Sequence, residues 1–301
     1  MDDWQSWIGR RSTALAWLDP AQANRMRATL DREPVLGPGD PLPLAWHWLY
    51  FSDAVRAADL NPAGHPRPGL TLPAVALPRR SWAGGSLTFR RPLLLATTVE
   101  RVSTIRAIIR RRGWSGPVTF VTVEHLVREV GPEGMDDDPD AGPPALVEEQ
   151  TILFRGPTAT DPPPTATATD PTAPTPTAAD PTAPTPTAPA VTRTWSLDSI
   201  ALFRYSALTF NAHRIHYDAD YCRDVEGYPG LVVHGPLLAT LLLDLAVGHG
   251  RRVHRFDYTA HRPLFLPGPF TVHGRPDGDA TVLWAAGSDG RLAMRARTDA
   301  D

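Results

Sequence analysis

Residues 157–190 are built almost wholly from Pro, Thr, Ala and Asp and hold eleven of the chain's 33 prolines. Within them Asp170–Ala178 (DPTAPTPTA) recurs at Asp180–Ala188. No aliphatic side chain larger than Ala is present, so the stretch cannot bury apolar area to offset the entropy lost on ordering. It reads as a semi-rigid, polyproline-II-biased tether, about 3.1 Å per residue where extended. The 301-residue chain is therefore expected to fold as two units, 1–156 and 191–301, joined by a linker at 157–190.

Both halves carry the same succession of signals. In the first, Asp19-Pro20 places a capping carboxylate before proline at a helix start. Period-2 runs at Thr98–Arg110, Val118–Val130 and Leu146–Phe154 follow as strands. In the second, a helix is expected from Ser196–Tyr205 and another from the apolar Pro236–Val247. Strands are expected near Val253–Ala260, Phe270–Gly274, Thr281–Ala286 and Arg291–Thr298. Helix first and antiparallel strands after, twice over, indicates an α+β fold with a duplicated domain.

Composition removes several classes of function. Thirty basic residues against 33 acidic give a net charge of -3, which argues against a nucleic-acid binder. Every basic residue is arginine, so no lysine can form a Schiff base, serve a P-loop or act as a base. Cys222 is the lone cysteine and leaves no internal disulfide or cysteine-based zinc site. The longest apolar stretch, Leu237–Val247, is too short for a membrane span and contains Asp244. The acidic start Met1-Asp2-Asp3 does not resemble a signal peptide, and a cytoplasmic location is expected.

Chemistry concentrates in Asn211-Ala-His213-Arg214-Ile-His216-Tyr-Asp218 and in Gly230-Leu-Val-Val-His234-Gly235-Pro236. His216 lies near a turn where an imidazole can face a pocket. Gly235 falls at the start of the apolar helix, where its free amide sits at the positive end of the dipole and can hold an oxyanion. A base and such an amide are the minimum parts for chemistry beside a thioester carbonyl. His213 reads more readily as a structural histidine. His213, His216 and His234 lack an acidic or cysteine partner at a metal-ligand spacing, so no metal is expected.

The segment IHYDADYCRDVEGYPGLVVHGPLLATLLLDLA resembles the hydratase motif of the MaoC-like family of (R)-specific enoyl-thioester hydratases and dehydratases. SALTFNAHRIHYD with YPGLVVHGPLLATLL is similar to that family's two-domain branch, which includes the 3-methylfumaryl-CoA (mesaconyl-C4-CoA) hydratases. LPRRSWAGGSLTFRRPL and VERVSTIRAIIRRRGWSGPVTFVTVEH resemble the branch's N-terminal domain. The resemblance implies a double hotdog, each domain a curved antiparallel sheet around a long helix, with a homodimer of double hotdogs as an assembly it allows. It implies a degenerate N-terminal domain and a catalytic C-terminal one.

By the same resemblance His216 is the catalytic histidine and Gly235 supplies the oxyanion amide. Asn211 stands where the wider family has aspartate. An amide cannot accept and return a proton, so His216 becomes the general base and Asn211 a positioning group. The implied reaction is hydration of an α,β-unsaturated acyl-CoA, foremost mesaconyl-C4-CoA to citramalyl-CoA, with CoA as substrate handle and no cofactor. Arg80, Arg204 and Arg214 are candidates to read a substrate carboxylate, and His234 is a candidate substrate contact. A fatty enoyl-CoA or enoyl-ACP hydratase, and a non-catalytic acyl-CoA-binding subunit, are the alternatives.

Overall fold

The computed structural model describes residues 4–113, 116–130, 143–156, 185–186, 188–250 and 252–299. The expected linker falls largely, through 184, outside the described residues. Ten antiparallel strands form one sheet. The first half supplies β1 (Arg11–Trp17), β2 (Arg79–Phe89), β3 (Thr98–Gly113), β4 (Gly116–Glu129) and β5 (Leu146–Arg155). The second supplies β6 (Val191–Trp195), β7 (Arg255–Ala260), β8 (Phe270–Asp277), β9 (Ala280–Gly287) and β10 (Leu292–Asp299). The strand order is β1-β3-β4-β5-β2-β7-β10-β9-β8-β6. Read outward from the centre, each half repeats one topology, and β2 pairs with β7 to make the sheet continuous.

Three of the helices are α1 (Pro20–Thr29), α2 (Ser199–Leu208) and the one-turn α3 (Ala219–Tyr221). Helix α1 starts as its sequence requires: Asp19 accepts a hydrogen bond from the Ala21 amide at 2.9 Å and Pro20 is the first helical residue. The fourth, α4 (Gly235–Gly248), lies against β7, β8, β9 and β10. Nine of its residues are buried, among them Leu237, Leu238, Leu241, Leu242, Leu243 and Leu245. At about 2 kcal/mol per buried leucine, this helix is the main organiser of the C-terminal core. A helix apolar on nearly every face belongs inside, as the sequence indicated. Its one acidic residue, Asp244, meets Arg32 of the N-terminal half at 2.9 Å.

The two halves are not equal. The first half has no counterpart of α4 among the described residues. Where that helix would lie, the chain carries five prolines between residues 62 and 78, which cannot sustain a helical hydrogen-bond ladder. The space instead contains short turns and a cavity against β3, β4 and β5. The expected order of helix first and strands after is also corrected, because β1 and β6 precede the helices. Both are edge strands with largely exposed side chains, Leu15 and Trp17 included, so they lack the alternation that marks a half-buried strand.

Candidate active site

The loop after α2 is shaped by its own side chains. Phe210 takes a left-handed conformation at φ 51°, ending the helix. Asn211 Oδ1 accepts from the His213 amide at 3.0 Å, an Asx turn. Arg214 is paired to Asp218 at 2.7 Å, and Asp218 caps α3 through the Tyr221 amide at 2.9 Å. The turn Asn61–His65 of the N-terminal half then presses onto this loop. The Arg214 amide donates to Ala63 O at 3.0 Å, and a Cβ on Gly64 (φ +90°) would lie 1.8 Å from Ala212 O. Only glycine fits there.

The loop delivers His216 into a ladder of imidazoles. Its ring stacks on His234 at 3.6 Å and meets His213 edge-on at 5.5 Å, while His213 faces His65 at 4.0 Å. His216 Nδ1 donates to Val232 O at 2.7 Å. That fixes the tautomer and leaves Nε2 with a basic lone pair and no partner among the described residues. Burial pushes the His216 pKa down to about 4, His65 to about 3 and His213 to about 2, with His234 also lowered. All four are neutral at pH 7. Among the described residues no group of three His, Cys, Asp or Glu is arranged to hold a metal ion.

This ladder makes stability depend on pH. Imidazoles neutral in the fold take protons near 6.5 once unfolded, so the unfolded chain binds more protons as pH falls below that value. Each group removes up to about 1.4 kcal/mol per pH unit on acidification from 6.5 toward its folded pKa. The melting temperature is expected to drop steadily between pH 7 and 5, and less steeply in His65→Phe. A flat profile over that range would show that the imidazoles are not buried as described.

Gly235 opens α4, and its amide donates to no acceptor among the described residues. The Trp82 ring from β2 lies over it, since a Cβ on Gly235 would be 2.8 Å from Trp82 Cε3. Trp82 in turn packs edge-on against Trp48 at 5.4 Å. In front of this assembly is a cavity of about 860 Å³, walled by Asn211, Ser206, Pro236, His65 and Arg80. Its floor in the N-terminal half mixes Glu148, Ser103, His125 and Gln150 with Ile105, Val123 and Ile152. Glu148 is fully buried there and accepts from His47 at 3.0 Å and Trp48 at 2.9 Å. Burial works to raise its pKa, but the His47 hydrogen bond, the nearby His47 and His125 rings and the Trp48 hydrogen bond hold it at about 2. Ser103 and His125 are joined beside it at 2.7 Å.

The structure sorts the residues singled out by sequence. Asn211 lines the cavity, and so do Tyr217 and Pro236, the chain neighbours of His216 and Gly235; these two are not themselves among the lining residues, and His216 is 7% exposed. Arg80 lines the cavity. Arg214 is held by Asp218 and by Pro62 O, and Arg204 is exposed on α2 away from the cavity lining. His234 has no exposed surface: its Nε2 meets Ser206 Oγ at 2.8 Å and its ring supports His216 from behind. It is not among the residues that line the cavity. Sequence reasoning missed His65, Trp82, His47 and Glu148, all from the N-terminal half. The one local signal was the turn-forming Asn61-Pro-Ala-Gly64 before His65.

Comparison with known proteins agrees with this architecture. A family model described as hydroxyacyl-thioester dehydratase type 2 matches residues 45–266. The chain is 40% identical over 299 residues to mesaconyl-C(4)-CoA hydratase of Chloroflexus aurantiacus, covering 99% of this chain and 98% of that one. Among solved structures, a MaoC-like dehydratase of Phytophthora capsici superposes with a TM-score of 0.65 at 13% identity, covering 98% and 96% of the two chains. A Mycobacterium tuberculosis protein described as a double hotdog gives 0.51 at 14%, covering 97% and 95%. The fold is the double hotdog, and the chain belongs to the hydroxyacyl-thioester dehydratase type 2 family.

Proposed function

We propose that this protein adds water across the double bond of a short, carboxylated α,β-unsaturated acyl-CoA, foremost mesaconyl-C4-CoA, giving citramalyl-CoA. The observation that carries the reading is His216, its tautomer fixed by Val232 O, and the unengaged Gly235 amide, whose chain neighbours Tyr217 and Pro236 line one cavity with Asn211. The Gly235 N–H holds the thioester oxygen as negative charge develops on it. His216 Nε2 takes a proton from water as its oxygen bonds the β-carbon and the π bond breaks. The resulting imidazolium supplies the proton that the α-carbon gains. Asn211, its oxygen engaged by His213, offers its amide hydrogens to orient water. Water and the thioester suffice for this reaction, with no metal or redox group.

The buried Glu148, Ser103 and His125 give part of the floor a polar character, which supports an acyl group with a polar end there. Exposed Phe203, Phe210 and Tyr217 rim the mouth, with Arg10 and Arg11 at its edge, and suit a pantetheine arm and its phosphates. The relative from Chloroflexus aurantiacus, matched end to end, acts on such a carboxylated thioester by its name. A panel of enoyl-CoAs, followed by loss of the conjugated thioester absorbance, tests the reading. Mesaconyl-C4-CoA should be consumed at least about 100-fold more efficiently than crotonyl-CoA. Equal or reversed preference would return the reading to fatty enoyl thioesters.

The pH profile is a further expected result. With the His216 pKa near 4, kcat/KM should stay level from pH 8 to about 5 and fall only below that. An ordinary solvated imidazole would already be lost near 6.5. Asn211→Asp places a negative charge nearby, which favours imidazolium, so the acid limb should move upward. Asn211→Ala should cost about tenfold, since it loses orientation and not the proton acceptor. An acid limb that ignores Asn211→Asp would separate Asn211 from the base.

A further inference from the structure

Arg80 is the third residue of the sequence stretch Pro78-Arg79-Arg80 and lies on β2 two residues before Trp82, so both side chains leave the same face of the strand. Trp82 covers Gly235, which places Arg80 next along from the reacting centre. Its neighbour Arg79 is engaged by Glu226 at 3.3 Å. Arg80 has no such partner: no hydrogen bond or ion pair ties its guanidinium to another described residue. Asp53 is the one anion acting on it, is more than half exposed, and already meets Arg101 at 3.5 Å. Burial lowers the Arg80 pKa to about 10, and it remains charged. His65 lies beside it, and His65 Nε2 is buried without any hydrogen-bond partner.

A guanidinium without an ion-pair partner and an unpartnered imidazole nitrogen thus lie near each other. Both residues line the large cavity and also a second one of about 470 Å³. Arg80 is half-buried, with its guanidinium open to the cavities and without a fixed counter-ion, and beside it an imidazole nitrogen is sealed without a partner, which is unfavourable. A planar fork of N–H donors fits a carboxylate with two parallel hydrogen bonds.

We infer that Arg80 and His65 form a carboxylate subsite that recognises an acyl group bearing –COO⁻ on its β-carbon. This rests on the proposed hydration only for the placement of the β-carbon near His216. Binding at the subsite is a separate property. The inference makes substrate choice a matter of one half-buried cation contributed by the N-terminal half, while the general base comes from the C-terminal half.

Succinyl-CoA and butyryl-CoA test it without turnover, since they differ only in a carboxylate for a methyl group on the β-carbon. Calorimetry on the full chain should show succinyl-CoA binding at least about tenfold tighter. Arg80→Met should abolish that preference, and Arg80→Lys should keep part of it, since a point charge replaces the fork. Arg80→Met should also melt no lower than the wild type, because an uncompensated cation gives way to an apolar side chain of similar length. A merely structural arginine would lower the melting temperature when removed. Equal binding of the two thioesters by the wild type, or a preference that survives Arg80→Met, overturns the subsite. If the preference is present but no enoyl-CoA is hydrated, the subsite stands and the proposed reaction fails.

Discussion

Replacing His216 with alanine is expected to lower kcat by about 100- to 10,000-fold while thioester binding persists. The expectation follows from geometry. His216 is the one imidazole of the ladder whose tautomer is fixed by a backbone carbonyl, through Nδ1 and Val232 O. His234 behind it has Nε2 committed to Ser206, and its Nδ1 is sealed without access to the cavity. His213 and His65 have pKa values pushed even lower, which makes them poorer proton acceptors. The stacked pair at 3.6 Å means that alanine leaves a void against His234, so a small loss of melting temperature is expected alongside. Kinetics on the folded variant, with calorimetric binding of an acyl-CoA as control, separates the two effects. Substantial residual turnover would move the base elsewhere in the loop.

Gly235→Ala should cost about 100- to 1000-fold in kcat, the usual penalty for losing an oxyanion donor. The smallest side chain is enough here. Its Cβ would stand 2.8 Å from Trp82 Cε3, so the methyl group and the indole cannot keep their places together. Either Trp82 shifts into the cavity or the start of α4 moves, and both take the amide out of line with the thioester oxygen. Binding of CoA itself, held at the mouth, should change far less than kcat. A folded Gly235→Ala protein with near-normal turnover would remove this amide from the mechanism.

The C-terminal half was legible because its signals are local. Six buried leucines in one apolar run announce α4, and alternation at Leu292, Met294 and Ala296 announces β10. The loop residues Asn211, His216 and Gly235 lie within 25 positions of one another, and Asn211 lines the cavity together with Tyr217 and Pro236, the neighbours of the other two. The N-terminal contribution was not legible for the opposite reason. His47, His65, Trp82 and Glu148 are separated by up to about a hundred residues, and strand pairing and turn packing bring His47, His65 and Glu148 to one cavity and Trp82 against Gly235. No period or spacing marks such a set. Arg80 could be named as a candidate from sequence, but only the ion pairs of Arg79 and Arg214 single it out from its neighbours. The edge strands β1 and β6 escaped because exposure on both faces erases the pattern that reveals a strand.

The most direct test is to incubate mesaconyl-C4-CoA with the protein in water labelled with ¹⁸O and deuterium and to analyse the product by mass spectrometry and NMR. The wild type should give a β-hydroxyacyl thioester carrying ¹⁸O in the hydroxyl group and one deuterium on the α-carbon, and His216→Ala should give almost none. Unlabelled recovered thioester, or label incorporated equally by wild type and His216→Ala, would contradict hydration driven by this histidine.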